Sequence, residues 1–177
     1  TGSLYFHEIH NFINSSQIDI NENNINTVGF IFALTFILIS LAFKFGAAPF
    51  HMWIPDVYHG SLISTTLLLS TLPKIAIFII ILKILAYTFI GLSIFWSDML
   101  IILSVISIMI GNIVAISQQN IKRMLAYSTI ANIGFILLGV SVGLFSGYKA
   151  SMFYTITYVI TTIAAFGLVS QLIYKEN

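Results

Sequence analysis

Residues 44–60 read KFGAAPFHMWIPDVYHG. This stretch begins with a lysine after the uncharged, mostly apolar residues 28–43, and it holds two prolines where that apolar run should still be crossing a membrane. Charge in hydrocarbon is expensive, and a helix broken in lipid must find new partners for the backbone groups that it frees. Two such costs side by side ask for a functional explanation.

The composition places the chain in a membrane. Of its 177 residues, 58% are hydrophobic and only 7% are charged, whereas soluble domains carry about 25% charged residues. A net charge of +1 gives no reason to expect nucleic acid as a partner. The lack of cysteine excludes disulfides, thiolate metal sites and iron–sulfur ligation in this chain. Because it opens on Thr1 without a signal or transit pattern, we expect it to be processed or to begin inside a longer protein.

Hydrophobic patterning predicts an all-α integral membrane protein with five transmembrane helices, the first of them broken near Pro49. A straight crossing needs about 20 residues to cover ~30 Å, but residues 28–58 would extend ~46 Å as one helix. Pro49 removes a backbone donor and clashes with the carbonyl of Phe45, so we expect the break just after Lys44. Residues 1–27 are expected to be a polar, aqueous segment with at most a short amphipathic turn, and residues 28–177 a helix bundle. The predicted spans are residues 28–58, 62–87, 97–117, 124–145 and 150–174.

The ends of the spans predict a helix cap and an orientation. Ser97 is a candidate N-cap, and Asp98 suits the first turn of the helix behind it. Short loops make neighbours in sequence antiparallel neighbours in space. Lys122 and Arg123 in one loop then share a side with Lys175 near the C-terminus, and the positive-inside rule predicts that this side is the matrix or cytoplasm.

The candidate chemistry of the chain centres on Lys44 and Lys74. If the hairpin turns at residues 59–60, each lies about fifteen residues from the turn, or ~22 Å along its helix, at one level near mid-membrane. No acidic residue lies in the middle of a predicted span, and a buried lysine without such a partner can bind and release protons near neutral pH. Lys74 could instead pair with a carboxylate and serve only to stabilise the packing of the helices. Lys83 lies near the end of a span, where snorkelling to the interface is the favoured interpretation.

Other polar residues leave alternatives open. His51 is either a proton relay or an interfacial hydrogen-bonding group, and Trp53 and Tyr58 fit an aromatic belt. Hydroxyl and amide side chains in membrane helices mostly serve packing, although some could line a hydrated proton path beside Lys74. These side chains are Ser104, Ser107, Asn112, Ser128, Asn132, Tyr154, Thr155, Thr157, Tyr158, Thr161 and Thr162.

Three glycines of the fourth span, Gly134, Gly139 and Gly143, predict close helix contacts. The sequence holds no phosphate loop, haem pair or nucleophile triad, and its four histidines are too scattered to predict a metal site.

The same stretch identifies a family. Residues 44–58 resemble the signature of subunit 2 of the mitochondrial NADH:ubiquinone oxidoreductase, respiratory complex I, whose bacterial counterpart is subunit N. Two further blocks resemble that family, namely residues 69–76, LSTLPKIA, and residues 120–131, NIKRMLAYSTIA. The resemblance covers most of residues 40–175, and its first block is highly specific. Sister subunits and cation/proton antiporters share a looser form.

The resemblance implies an antiporter-like bundle of about fourteen helices, of which this chain would supply about helices seven to eleven. It implies that Lys44 is the lysine beside the broken helix and that Lys74 is the central lysine of a proton path. Pro49, Pro55 and Gly60 would then be structural residues of the break. FMN, iron–sulfur clusters and ubiquinone would belong to other subunits, so no cofactor or metal is expected in this chain.

The sequence also departs from the family pattern. Residues 61–63 replace an Ala-Pro-rich turn, and Asn132 stands where a histidine is common. The family's early helix with a glutamate and its later broken helix with a lysine are absent. We therefore expect a companion chain to supply them. Other membrane-arm subunits of complex I, including the other antiporter-like subunits, and lipids are the remaining expected partners.

Three functions compete at this point. The first is a proton-translocating membrane-arm subunit of complex I, which serves the H⁺-translocating NADH:ubiquinone reductase without a redox centre of its own. Its location would be the mitochondrial inner membrane, or alternatively the bacterial plasma membrane. The second is a subunit of a cation/proton antiporter, and the third is a non-pumping scaffold.

Overall fold

The computed structural model describes residues 5–15 and 25–176, with side chains given for residues 5–13 and 28–172. Its described part is built from helices and contains no strand. A π-helical turn, Leu82–Thr88, continues α4, and a 3₁₀ turn, Ile90–Leu92, leads into α5. The α-helices are α1 Phe6–Ser15, α2 Ile25–Phe45, α3 Trp53–Gly60, α4 Ile63–Ile81, α5 Ser93–Ile116, α6 Ile121–Ser141 and α7 Phe145–Glu176.

Five of the described segments are long and apolar enough to cross a membrane, which confirms the predicted all-α membrane fold. Consecutive spans run antiparallel, and the break after α2 is where the sequence predicts it. The candidate crossings are Val28–Phe45, Ile63–Thr88, Ile90–Ile116, Ile121–Ser141 and Phe145–Leu172.

The N-terminal region holds a helix of ten residues where the sequence predicts at most a short amphipathic turn. Residues 6–15 form a helix, because apolar side chains recur there at helical spacing and Ile13 is buried. This helix packs on the π-helical end of α4. The His10 ring stacks on Tyr87 with centroids 5.1 Å apart. The Lys83 ammonium lies 5.3 Å from the ring of Phe6, at a span end as expected. Residues 16–24 lie outside the described part of the chain.

Two predicted helix ends need correction. The third span begins at Ser93, so Ser97 is not an N-cap, and its hydroxyl donates instead to the carbonyl of Ser141 at 2.5 Å. Asp98 consequently lies in the second turn of that helix and not in the first turn, where the sequence predicts it, and its side chain is exposed. The fourth span ends at Ser141 because Gly143 has φ +69°, a left-handed conformation that favours glycine and stops the helix.

Helices α5 and α6 approach each other closely through two glycines. A Cβ atom on Gly111 would lie 2.5 Å from the backbone nitrogen of Ala131. A Cβ atom on Gly134 would lie 2.8 Å from the carbonyl oxygen of Ser104. Gly139 is as tightly packed against Ser151 of α7. The predicted contacts at Gly134 and Gly139 are confirmed, whereas Gly143 forms the turn.

We predict that Gly111→Ala destabilises the α5–α6 pair, because the added methyl meets backbone atoms that cannot move aside. Overpacking of this kind costs about 1–3 kcal/mol. Gly167→Ala is the matched control, since a Cβ atom there meets nothing within 4 Å. Heat inactivation of the detergent-extracted assembly should occur at a lower temperature in Gly111→Ala only. Equal inactivation temperatures would contradict the close packing.

Candidate functional site

The break between α2 and α3 is closed by a tight turn of the backbone. The amides of Gly46 and Ala47 both donate to the carbonyl of Ala42, at 2.8 and 2.9 Å. Gly46 has φ +85°, a conformation that side chains other than glycine rarely adopt. The Ala48–Pro49 peptide bond is cis, and the next helix starts only at Trp53. The first span is therefore broken near Pro49, as predicted.

Lys74 of α4 meets the open carbonyl end of α2. Its ammonium donates to the carbonyl oxygen of Phe45 at 2.5 Å, and its side chain is 1% exposed. The Trp53 indole donates to the carbonyl of Phe43 at 3.0 Å. The last carbonyls of a helix lack partners within it and form the negative end of the helix dipole. A cation and an indole N–H donate to two of these carbonyls here.

Aromatic rings and a neighbouring helix complete the surroundings of Lys74. Its nitrogen lies 5.3 Å from the ring centroid of Trp53 and 6.0 Å from that of Phe45, within the range of cation–π attraction. The amide of Ala48, freed by the break, donates to the hydroxyl of Ser107 on α5 at 2.8 Å. This hydroxyl satisfies a buried donor that would otherwise be costly in a membrane.

Lys44 lies at the same level but points away. Its neighbour Phe45 provides the carbonyl that Lys74 binds, so the two lysines share a depth, as the residue count predicts. The Lys44 side chain, however, is exposed, and it has no hydrogen-bond or ion-pair partner among the described residues. The structure thus buries one of the two amines and leaves the other on the surface of this chain. The assigned role of Lys44 stays a prediction.

The other predicted site residues fall into distinct positions. His51 is buried, its ring lies 6.3 Å from that of Tyr127, and its Nδ1 atom has no partner among the described residues. Pro55 is buried in the first turn of α3, where a missing N–H does no harm. Gly60 ends α3, but a Cβ atom there would meet nothing within 4 Å, so the local geometry does not require glycine.

The hydroxyl groups of Tyr58, Thr129 and Tyr158 form a cluster beside α4 that the sequence predicted only in part. Tyr58 is fully buried against Phe166 rather than part of an aromatic belt. Its spacing of four residues from the buried Ile54 places both on one face of α3, and that is the signal that could have corrected the interpretation. Tyr158 of α7 is also buried and lies near Thr129 of α6.

A half-open, partly polar cavity of about 130 Å³ adjoins this cluster. Hydroxyl and amide groups from α6 and α7 form about half of its wall, and the hydrated path beside Lys74 stays a prediction. The cavity is lined by Leu125, Ser128, Thr129, Asn132, Tyr158, Thr161, Thr162, Ala165 and Phe166. Within the described residues, no group of three or more histidine and acidic side chains could hold a metal ion.

Two basic residues, Lys122 and Arg123, lie in the first turn of α6, at the opposite end of the bundle from α1. Arg123 pairs with Asp56 at 2.7 Å, and the Lys122 ammonium donates to the carbonyl of Ser61 at 3.0 Å. These contacts hold the start of α6 against the end of α3. The side chain of Lys175, which the predicted orientation also uses, lies outside the described residues.

Comparison with known proteins gives a consistent family. The model of the NADH:quinone oxidoreductase/Mrp antiporter transmembrane family matches residues 1–177. NADH-quinone oxidoreductase subunit N of Ruthia magnifica is 46% identical over 169 residues, which cover 96% of this chain and 34% of the relative. Subunit N of Coxiella burnetii is 52% identical over 139 residues, which cover 78% of this chain and 29% of that relative. The chain therefore spans about a third of the length of the curated relatives that it matches.

Gly46→Ala should disrupt the site. The substitution strains the left-handed backbone by about 1–2 kcal/mol, and the new methyl would overlap the side chain of Ile54 and lie 3.2 Å from the Lys74 nitrogen. We expect a reduced yield of assembled protein on a native gel. Gly60→Ala, which meets open space, should assemble like the wild type. Normal assembly of Gly46→Ala would show that the turn is not as tight as described.

Proposed function

This chain belongs to the NADH:quinone oxidoreductase/Mrp antiporter transmembrane family, and from that premise we propose that it is part of a proton-translocating membrane-arm subunit of respiratory complex I. The relatives named subunit N support this assignment over a stand-alone antiporter. The chain would serve NADH:quinone oxidoreduction, while FMN, iron–sulfur clusters and quinone bind to other subunits. Other membrane-arm subunits, the antiporter-like ones among them, would be its partners.

One observation carries the proposal, namely the buried Lys74 ammonium at the carbonyl end of a broken helix. An ammonium held by a carboxylate would be locked in its charged form by the opposite charge. An ammonium held by a neutral carbonyl and two aromatic rings lacks that opposite charge, so its charged form has weaker support. Such a group can take up or release a proton when charge changes nearby.

The proposed mechanism uses the residues of this chain to hold and hand on a proton. With its proton, Lys74 donates to Phe45 and neutralises the negative end of α2. A change of charge in the neighbouring subunits, driven by quinone reduction elsewhere, would favour release of that proton. Lys44 is exposed at the same level on the outer face of α2. It could there exchange a proton with a residue of a neighbouring subunit that packs on this face.

We place the chain in an energy-coupling membrane with the Lys122–Arg123 loop toward the matrix or cytoplasm. The multi-pass topology supports a membrane location. The bacterial relatives fit a plasma membrane, and the inner mitochondrial membrane is the corresponding organellar location.

A scaffold role without pumping is the second candidate, and the Lys74–Phe45 hydrogen bond itself favours it. A lysine that caps a helix end can be retained for that bond alone. The two roles differ in what they require of Lys74. A cap needs a hydrogen-bond donor, whereas a pump needs a group that gains and loses a proton.

Substitution of Lys74 separates these roles. Lys74→Gln keeps an N–H donor for the carbonyl but cannot titrate, whereas Lys74→Met removes both properties. A positioned proton-transfer group accelerates its own step by ~10²–10⁴-fold. The effect on the overall rate of proton uptake is smaller, because other steps of the complex also limit that rate. We therefore expect proton uptake by vesicles that contain the assembled complex to fall at least about threefold in both variants. Lys83→Met, on the same span but at its exposed end, should pump normally.

Proton uptake is normalised to the amount of complex in each sample, which is measured by NADH–ferricyanide oxidation because that reaction bypasses the membrane arm. Normal uptake in Lys74→Gln with loss only in Lys74→Met would favour the scaffold. Normal uptake in both variants would refute the proposed role of Lys74.

A further inference from the structure

The hydroxyl group of Tyr158 lies where α4, α6 and α7 meet. Its oxygen is 3.2 Å from the carbonyl oxygen of Ser70 on α4 and 3.3 Å from the Oγ1 atom of Thr129 on α6. The Thr129 hydroxyl donates its own hydrogen to the carbonyl of Leu125 at 3.0 Å, so toward Tyr158 it acts as an acceptor. A phenol has one hydrogen. Tyr158 therefore has two acceptors and can donate fully to only one of them at a time.

One of these acceptors belongs to the helix turn that carries Lys74. Pro73 lies inside α4, lacks an N–H and clashes with the carbonyl four residues back, at position 69. Ser70 follows that disturbed position and precedes Lys74 by about one turn, ~6 Å along the axis. A bond from Tyr158 to Ser70 therefore ties α7 to the part of α4 from which the lysine projects.

The other acceptor faces the polar cavity. Thr129 and Tyr158 both line this 130 Å³ space together with Ser128, Asn132, Thr161 and Thr162. A water molecule occupies about 30 Å³ in the liquid and needs two or more polar partners. The cavity satisfies both conditions. Tyr158 is thus the side chain that touches the Lys74 turn on one side and the cavity on the other.

A second tyrosine supports the same interpretation. Tyr58 is fully buried, and its hydroxyl has no hydrogen-bond partner among the described residues. Thr129 is a neighbour that it shares with Tyr158. Buried polar groups without partners are uncommon in folded proteins. An unsatisfied hydroxyl beside a hydroxyl with two acceptors indicates a hydrogen-bond arrangement that can change.

We propose that Tyr158 is a positioning residue that opens and closes a water connection between Lys74 and the hydroxyl-lined cavity, an inference that rests on the proposed function of Lys74. When Tyr158 donates its hydrogen to Thr129, the carbonyl of Ser70 is free to accept a hydrogen bond from a water molecule beside the turn of α4 that carries Lys74. When Tyr158 donates to Ser70 instead, no water can bind at that carbonyl. A proton leaving Lys74 passes to a water oxygen, which gives one of its own protons to the next water. The O–H bond of Tyr158 is not broken.

Three variants test the proposal in vesicles that contain the assembled complex. Tyr158→Phe keeps the ring and removes the hydroxyl, and Thr129→Val removes one acceptor at nearly equal volume. Tyr148→Phe is the matched control, because it makes the same chemical change on the same helix, at a hydroxyl without a partner among the described residues. Proton uptake and its solvent deuterium isotope effect are measured in each, at equal NADH–ferricyanide activity.

We expect uptake to fall about five- to tenfold in Tyr158→Phe and Thr129→Val, less than the ~10²-fold typical for loss of an acid–base group, because other hydroxyls and water still line the cavity. The isotope effect should rise in both, since proton transfer becomes slower than the other steps. The double variant should be no worse than either single one, because the two residues act together.

The control variants separate the possible failures. If Lys74→Met lowers uptake but Tyr158→Phe and Thr129→Val do not, the positioning role is wrong and the proposed function stands. If Lys74→Met also leaves uptake unchanged, the proposed function fails first. If Tyr158→Phe does not assemble, Thr129→Val decides the question. A loss of assembly in both, or a loss of uptake without a change in isotope effect, would make the hydroxyl a packing group and overturn the proposal.

Discussion

A helix that stops inside a membrane must have its last carbonyl groups satisfied by protein, and in this chain the ammonium of Lys74 satisfies the one at Phe45. The bond explains why a charge and a break occur together, since each makes the other tolerable. The cation is stabilised by the negative end of α2, and that end is stabilised by the cation. Without the break, Lys74 would have no acceptor, and without Lys74 the carbonyl would lose its donor.

The surrounding fold serves this meeting point. Gly46 provides a turn that a side chain would obstruct, and Ser107 on α5 satisfies the amide that the turn frees. The close α5–α6 packing through glycine holds Ser107 in place against a rigid pair of helices. On the far side of α4, Tyr158 bonds the turn before the lysine. The ammonium of Lys74 therefore lies among elements that contact one another on several sides.

The sequence predicted those features that depend on hydrophobic length and on proline. Five spans, a break after Lys44 and a common level for the two lysines all follow from residue counts. Prediction failed where a partner in space decides the outcome. Ser97 has the chemistry of a cap but bonds Ser141, because an apolar turn starts the helix four residues earlier. Tyr58 reads as an interfacial aromatic, and only the packing of α3 against α6 and α7 buries it. The outward direction of Lys44 likewise depends on helix rotation, which counting along the chain does not determine.

A cryo-electron microscopy map of the assembled complex, at a resolution that shows side-chain nitrogen atoms and ordered water, tests the account most directly. We predict that α2 ends at Phe45, that the Lys74 nitrogen lies within hydrogen-bonding distance of its carbonyl oxygen, and that no carboxylate contacts the amine. A continuous helix through Pro49, or a Lys74 amine paired with a carboxylate away from that carbonyl, would contradict it.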